Sequence, residues 1–409
     1  MAERTPSGSG ATTAPSPQLA DDHRWLWLLA RLWLCSRLAL GLVLLTVMTT
    51  QHRRLSDALG GWDVQHFQTI ARDGYEVQLE RAFFPGLPLL LRAADAVGLP
   101  VYLAGALLAV VCSALAAVAL FRLAGGGPAG VVAGGLWLVA PTTVFTTVAY
   151  TEAPFCALAF WAWQRGTRGR WGQAAALAML ACTFRVSGLF LVGGLGLLAL
   201  TQHGVAVGRR LRNACLAALG LLGVIGYFVY LHGITGSWTA WFDAQAAGWN
   251  RGFFSPRESL RHTLEAGAPG RWPGRPEVAW VFRAEVVSMV VGALLSVLLL
   301  WRRRWAQAGY VGVQVFAFAT SYWFMSVNRA VLLWFPLWLL AAAAARHGWG
   351  LGDEGLRQAQ PTSSAQPLAS ARPSVSVVLC RAAVTGLGLV SVPAMLWWAW
   401  LFYSGAWAS

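Results

Sequence analysis

An aspartate and a histidine stand three residues apart in the run Gly60-Gly61-Trp62-Asp63-Val64-Gln65-His66-Phe67-Gln68-Thr69-Ile70-Ala71-Arg72-Asp73-Gly74-Tyr75. Trp62, Phe67, Ile70 and Ala71 recur at helical spacing, which predicts an amphipathic helix along the membrane surface with Asp63 and His66 on one face. A carboxylate near the start of a helix at the water boundary can act as a general base. A histidine beside it can donate to a phosphate or orient an acceptor. The same two residues also fit a helix cap and a solvated polar group, and the local pattern leaves both readings open.

Three further polar groups punctuate apolar sequence: Tyr150-Thr151-Glu152, Thr183-Phe184-Arg185-Val186-Ser187 and Ser326-Val327-Asn328-Arg329. A charge at mid-bilayer depth costs about 2.5 to 3.5 kcal/mol on insertion scales, so such residues face a cavity or a partner. Arginine presents a planar fork of donors that matches phosphate oxygens, which makes Arg185 and Arg329 candidate phosphate clamps. A structural ion pair, for example Glu152 with Arg185, is the competing reading. Arg37, inside the first apolar run, fits snorkelling to the boundary and is left out of the site. A second polar stretch holds Trp238, Trp241, Asp243, Gln245, Trp249, Asn250, Arg251 and His262, a mixture of rings, amides and charges that suits sugar faces and hydroxyls.

The elements that must position these groups are membrane helices. Of 409 residues, 57% are hydrophobic and 12% charged, against about 25% charged in a soluble domain. Apolar runs fall near 25–48, 100–121, 129–148, 153–164, 172–184, 187–201, 213–232, 278–300, 306–325, 330–345 and 376–403, which predicts an all-α, polytopic bundle of about nine to eleven spans. The runs between 153 and 184 are short for a crossing and suit tilted or re-entrant segments around a cavity. Phe83-Phe84-Pro85-Gly86-Leu87-Pro88-Leu89-Leu90 reads as an interfacial or re-entrant helix, or as ordinary aromatic anchoring.

The predicted organisation is a disordered cytoplasmic tail over 1–24, a transmembrane domain over 25–349 with outer loops at 49–99 and 233–277, a flexible cytoplasmic linker over 350–375, and a last helix over 376–409. Basic residues in short loops set the orientation. Arg122, Arg165, Arg168, Arg170, Arg209, Arg210, Arg212, Arg302, Arg303, Arg304 and Arg346 share one side, expected to be cytoplasmic, so Asp63, Asp73 and Glu152 fall outside.

The formal charge of +14 does not imply nucleic acid, because the arginines interrupt apolar segments instead of gathering on a soluble face. The six cysteines, Cys35, Cys112, Cys156, Cys182, Cys215 and Cys380, lie in or beside apolar runs without metal-ligand spacing and read as small core residues. No Walker loop, HExxH or GxSxG pattern is present, so nucleotide hydrolysis and zinc proteolysis have no sequence support.

Trp62-Asp63, His66-Phe67, Ile70-Ala71, Gly74-Tyr75, Phe83-Phe84-Pro85, Pro88-Leu89, Tyr150-Thr151-Glu152, Arg185 with Gly188, and Arg329 with Phe335-Pro336 occur in an order that resembles the PIG-V type of mannosyltransferase. That group comprises the GPI mannosyltransferase 2 family and its bacterial relatives, within the GT-C class of membrane glycosyltransferases. The resemblance covers roughly residues 25–345, and departs at Val186, where the family often has proline, and at Ala330, where it has an aromatic residue.

The resemblance implies a GT-C fold, a polyprenyl-phosphate-mannose donor, a lipid or glycan acceptor and inversion at the anomeric carbon. On that basis Asp63 is the expected catalytic base, and His66, Arg185, Arg329, Glu152, Trp62 and Asp73 are the expected substrate-binding residues. The lipid-phosphate sugar is a co-substrate, and neither a cofactor nor a divalent metal is expected. The expected location is the plasma membrane, multi-pass, with the site on the extracytoplasmic side. A transporter or lipid flippase, and a non-catalytic scaffold, are the rival readings.

Overall fold

The computed structural model describes residues 17–349 and 375–408. Every regular element among them is helical, as the apolar runs require. Residues 1–16 of the expected tail lie outside the described residues, and from Pro17 the chain is already part of the helix Pro17–Thr50. The expected linker over 350–375 lies outside them too, apart from residue 375, where the last helix, Val375–Tyr403, begins.

Among the described residues five helices are long and apolar enough to cross a membrane: Asp22–Thr50, Val101–Leu123, Val207–Thr235, Pro276–Trp301 and Val384–Tyr403. A sixth crossing is available if Val327–Leu333 and Phe335–Arg346, bent by 63°, form one broken span. That is fewer than the nine to eleven the apolar runs suggested. Gly127–Leu138, Trp171–Cys182 and Ser187–Leu200 are apolar but short. At 1.5 Å per residue none reaches the roughly 30 Å of a bilayer core. Hydropathy cannot separate a helix bathed in lipid from one enclosed by other helices, and the Glu152–Thr167 helix, almost wholly buried, is of the enclosed kind.

The lipid-facing helices show the opposite signature. Leu34, Leu38, Leu42 and Leu45 on the first helix, and Val287, Val290, Leu294 and Val297 on Pro276–Trp301, are exposed at helical spacing, which forms apolar stripes for the surrounding hydrocarbon. Inside, Trp137, Phe155, Phe160, Trp163, Tyr310, Trp334 and Phe335 are buried. Some of their polar tips fix the backbone: Trp137 Nε1 donates to the Leu332 carbonyl at 2.9 Å and Tyr310 Oη to the Leu333 carbonyl at 3.0 Å. Both carbonyls belong to the short turn Val331–Leu333 at the bend of the broken pair, where helical bonding lapses and backbone acceptors need other donors.

The segment over 51–99 folds around two short amphipathic helices, Asp63–Asp73 and Gly86–Ala96. Val64, Phe67, Ile70 and Ala71 are buried on the first of them, so its apolar face meets protein. The helices Glu152–Thr167 and Pro276–Trp301 start near the site and end beside Arg168 and Arg302 respectively. The basic short loops therefore lie at the far ends of the helices that carry the site.

Candidate active site

Asp63 begins its helix directly after Trp62, whose φ of 58° lies in the left-handed region. This conformation is costly for a large side chain and is held in place by its surroundings. Trp62 Nε1 donates to the Ala406 carbonyl at 3.1 Å, and the Asp63 N–H donates to Tyr150 Oη at 3.2 Å. The turn is thus pinned from two sides, by the segment after the last helix and by the start of the Glu152 region.

Arg329 arrives from the opposite direction on the short helix Val327–Ala330. This helix is preceded by Ser326, again at positive φ, 69°. Glu285, fully buried in the Pro276–Trp301 helix, accepts hydrogen bonds from the N–H groups of Ser326 at 2.9 Å and Asn328 at 2.8 Å. A carboxylate at the N–H groups of a helix start that lack helical partners is favoured by hydrogen bonding and by the local dipole. Glu285 therefore fixes the turn that aims Arg329.

At the centre, Arg329 Nη1 lies 2.9 Å from Asp63 Oδ2 and 3.7 Å from Glu152 Oε1. Arg185 Nη1 donates to the same Glu152 oxygen at 2.7 Å and to Thr151 Oγ1 at 2.8 Å. Asp63, Arg329, Glu152 and Arg185 form one alternating chain of charges, in which Glu152 is fully buried. The guanidinium of Arg329 sits 5.2 Å from the centroids of both Phe145 and Tyr150. The pairing explains how two arginines and two carboxylates are tolerated away from bulk water.

His66 lies one turn along from Asp63, its Nδ1 3.1 Å from Glu80 Oε1 and its ring stacked on Phe83 at 4.9 Å. Burial opposes its protonation, yet the hydrogen bond to Glu80 and the charges of Glu80 and Asp63 outweigh that and raise its pKa above the ordinary histidine value. Arg185 is placed by a close approach. The Gly86 N–H donates to the Thr183 carbonyl at 2.7 Å, and a Cβ on Gly86 would stand 2.7 Å from Thr183 Oγ1. Only glycine lets the Gly86–Ala96 helix meet the turn that carries Arg185.

Two cavities meet at this centre. The larger, about 1110 Å³, is lined by Trp62, Asp63, His66, Tyr150 and Arg329, with Arg53, Asp57 and Asp95 toward its rim. The smaller, about 250 Å³, has aromatic walls that include Phe83, Phe184, Trp241 and Phe318 and holds Arg185 and Arg251. Asp63, Trp249, Ser326 and Arg329 border both.

The structure thus gathers Trp62, Asp63, His66, Glu152, Arg185 and Arg329. It does not gather Asp73, which is exposed at the far end of the Asp63 helix, ten residues or about 15 Å along the axis. The larger cavity reaches as far along this helix as Arg72, and Asp73 is not among the residues that line it. From the second polar stretch, Trp241, Gln245, Trp249 and Arg251 reach the smaller cavity. Trp238 instead stacks on His232, Asp243 bonds Thr239, and His262 stacks on Tyr322.

Glu80 and Glu285 were not singled out from the sequence. Glu285 had a legible signal, a lone carboxylate within a long apolar run; Glu80 had none. The C-terminal segment was missed as well: Phe402, Trp407 and Ala408 line the larger cavity, beyond the 25–345 region of resemblance. Among the described residues no three His, Cys, Asp or Glu side chains are grouped to hold a metal ion.

Fold and site together define a polytopic helical membrane protein with a paired carboxylate–arginine centre between two cavities. Residues 36–212 match the family described as mannosyltransferase (PIG-V). Over 153 residues the chain is 34% identical to mouse GPI alpha-1,6-mannosyltransferase 2, an alignment covering 34% of this chain and 31% of the mouse protein. The corresponding Chinese hamster and human proteins are each 35% identical over the same length and shares. The chain spans about a third of the length of the curated relatives it matches. The family match contains Asp63, His66, Glu80, Glu152 and Arg185, and stops short of Arg251, Glu285 and Arg329.

Proposed function

We propose that the protein is a membrane mannosyltransferase that moves mannose from polyprenyl-phosphate-mannose to a hydroxyl of a lipid or glycan acceptor, with inversion, on the extracytoplasmic face. The observation that carries this reading is the 2.9 Å Asp63–Arg329 pair standing at the border of a large, polar-rimmed cavity and a small aromatic one. One side suits an acceptor, the other a lipid-linked phosphate, and the reacting carbon falls between them.

In this mechanism the acceptor hydroxyl attacks the anomeric carbon from the face opposite the phosphate, and the bond from that carbon to the phosphate oxygen breaks. Asp63 takes the hydroxyl proton, and polyprenyl phosphate leaves with the bonding pair. General base assistance is worth about 100- to 10,000-fold, and donors aimed at developing negative charge add a comparable factor. Arg329 and Arg185 supply such donors, and His66, whose pKa is raised by Glu80 and Asp63, lines the same cavity as Arg329. An incoming phosphate that draws Arg329 toward itself also loosens the Asp63 pair, which frees the carboxylate to act as a base when the donor is in place.

The outward orientation is supported by Arg165, Arg168, Arg170 and Arg302–304, which cluster at helix ends away from the site. The test is transfer of labelled mannose from polyprenyl-phosphate-mannose in membranes containing the wild type or Asp63→Asn at matched protein levels. Transfer by the wild type alone supports the reading. Absence of transfer by the wild type across lipid and glycan acceptors sinks it and restores the transporter reading.

A further inference from the structure

The arginines nominated from sequence as phosphate clamps are already neutralised: Arg329 by Asp63 and Arg185 by Glu152. The smaller cavity has a third cation. Arg251 lines it together with Arg185 and Arg329. Its guanidinium has no ion pair and no hydrogen bond among the described residues; its one close neighbour of note is the Phe318 ring, 5.8 Å from the centroid. Asp63 contacts Arg329 and Glu152 contacts Arg185, while Arg251, which feels Glu285 and Asp63 only at longer range, has no carboxylate in contact among the described residues.

The backbone is shaped to put that charge there. Asn250, immediately before Arg251, adopts φ 51° and closes the helix Ala240–Trp249. Five non-glycine residues have positive φ among the described ones, and Trp62, Asn250 and Ser326 are three of them. Each precedes a charged residue of the centre, by one position for Asp63 and Arg251 and by three for Arg329. Burial, then repulsion from Arg329 and Arg185, partly offset by the charges of Glu285 and Asp63, pushes the Arg251 guanidinium down to about 10, so it stays charged at neutral pH. A largely desolvated cation with no direct partner is held at a cost that a bound anion relieves.

Resting on the mannosyl-transfer reading, we infer that Arg251 is the residue that binds the phosphate of the lipid-linked donor, with its fork aimed into the smaller, aromatic cavity and the lipid chain leaving along the aromatic wall. A sugar phosphodiester carries a single negative charge, and Arg251 offers it a guanidinium that no carboxylate contacts. Arg185 and Arg329 then act as neighbours whose carboxylate partners can be loosened, while Arg251 supplies the standing attraction.

The experiment uses the full chain in nanodiscs and follows tryptophan fluorescence, since Trp241 and Trp249 line this cavity. The titrants are a polyprenyl monophosphate, the polyprenol of the same chain length, and inorganic phosphate. Wild type is expected to bind the monophosphate tightly and the polyprenol and inorganic phosphate weakly. Arg251→Met should weaken monophosphate binding by about 10- to 100-fold, the range for a hydrogen bond to a charged group, and leave polyprenol binding unchanged. Arg251→Lys, which keeps the charge and loses the fork, should fall between and guards against a misfolded methionine variant. In the transfer assay both variants should raise KM for the donor and leave KM for the acceptor alone.

Equal monophosphate affinity in wild type and Arg251→Met overturns the inference, as does a parallel loss of polyprenol binding. Inorganic phosphate binding as tightly as the lipid phosphate overturns the assignment to a lipid-linked donor. If monophosphate binding depends on Arg251 but no mannose is transferred, the phosphate site stands and the transferase reading fails. If mannose is transferred with a donor KM indifferent to Arg251, the reverse holds.

Discussion

Replacing Asp63 separates a chemical role from a structural one, because the side chain does two things that asparagine and alanine remove in different proportions. Its Oδ2 is the acceptor for Arg329 Nη1 at 2.9 Å, with side chains 24% and 11% exposed. Asp63→Asn would keep a carbonyl oxygen for Arg329 and lose only the charge, a change worth about 1 to 3 kcal/mol for a hydrogen bond to a charged partner. Asp63→Ala would remove the acceptor entirely and leave a buried arginine short of a partner, which costs about 3 to 5 kcal/mol. A proton acceptor is lost in both. If Asp63 is the base, both variants should slow transfer by about 100- to 10,000-fold, equivalent to about 2.7 to 5.5 kcal/mol on the barrier. Activity of Asp63→Asn and Asp63→Ala should therefore be alike while their stabilities differ. The assay is labelled mannose transfer by purified protein at saturating donor, alongside thermal unfolding in the same detergent. An asparagine variant that retains wild-type turnover while the alanine variant has none would refute the base assignment and leave Asp63 as the support of Arg329.

Three further outcomes are expected. Glu80→Gln removes the charge beside His66 and weakens the hydrogen bond that together raise its pKa; wild type gains stability from protonated His66 below the ordinary histidine range and loses it as pH rises through the raised value, so unfolding temperatures compared at about pH 6 and about pH 8 should converge in the variant. A variant with the unchanged pH dependence would show that Glu80 does not tune the ring. Glu285→Ala strips acceptors from the buried N–H groups of Ser326 and Asn328 and should destabilise by about 2 to 5 kcal/mol with loss of transfer, as seen by thermal unfolding and activity together; wild-type turnover would mean the Arg329 turn holds itself. In a cysteine-free background, Asp57→Cys should be labelled by an impermeant thiol reagent from outside intact cells and Arg168→Cys only after permeabilisation. The opposite pattern overturns the orientation.

The sequence alone determined that the chain is an all-helical membrane protein, because a composition 57% hydrophobic and 12% charged leaves few other solvents for it. It also picked out Asp63, His66, Glu152, Arg185 and Arg329, because ionisable residues in apolar surroundings are costly and so conspicuous. It could not count the crossings, since a run such as Ser187–Leu200 looks the same to hydropathy whether lipid or protein surrounds it.

Tertiary structure decided the rest. Arg329 meets Asp63 across 266 positions of sequence, and no local pattern encodes such a pairing. Asp73, in the same motif as Asp63, is exposed and does not line the cavity that its neighbour Arg72 reaches. Glu285, Arg251 and the C-terminal Trp407 join the site only because the Pro276–Trp301 helix, the Asn250 turn and the end of the chain are brought to the same end of the bundle. Which arginine is left without a carboxylate in contact depends on where the acidic side chains fall in space, and that distribution exists only once the helices have packed.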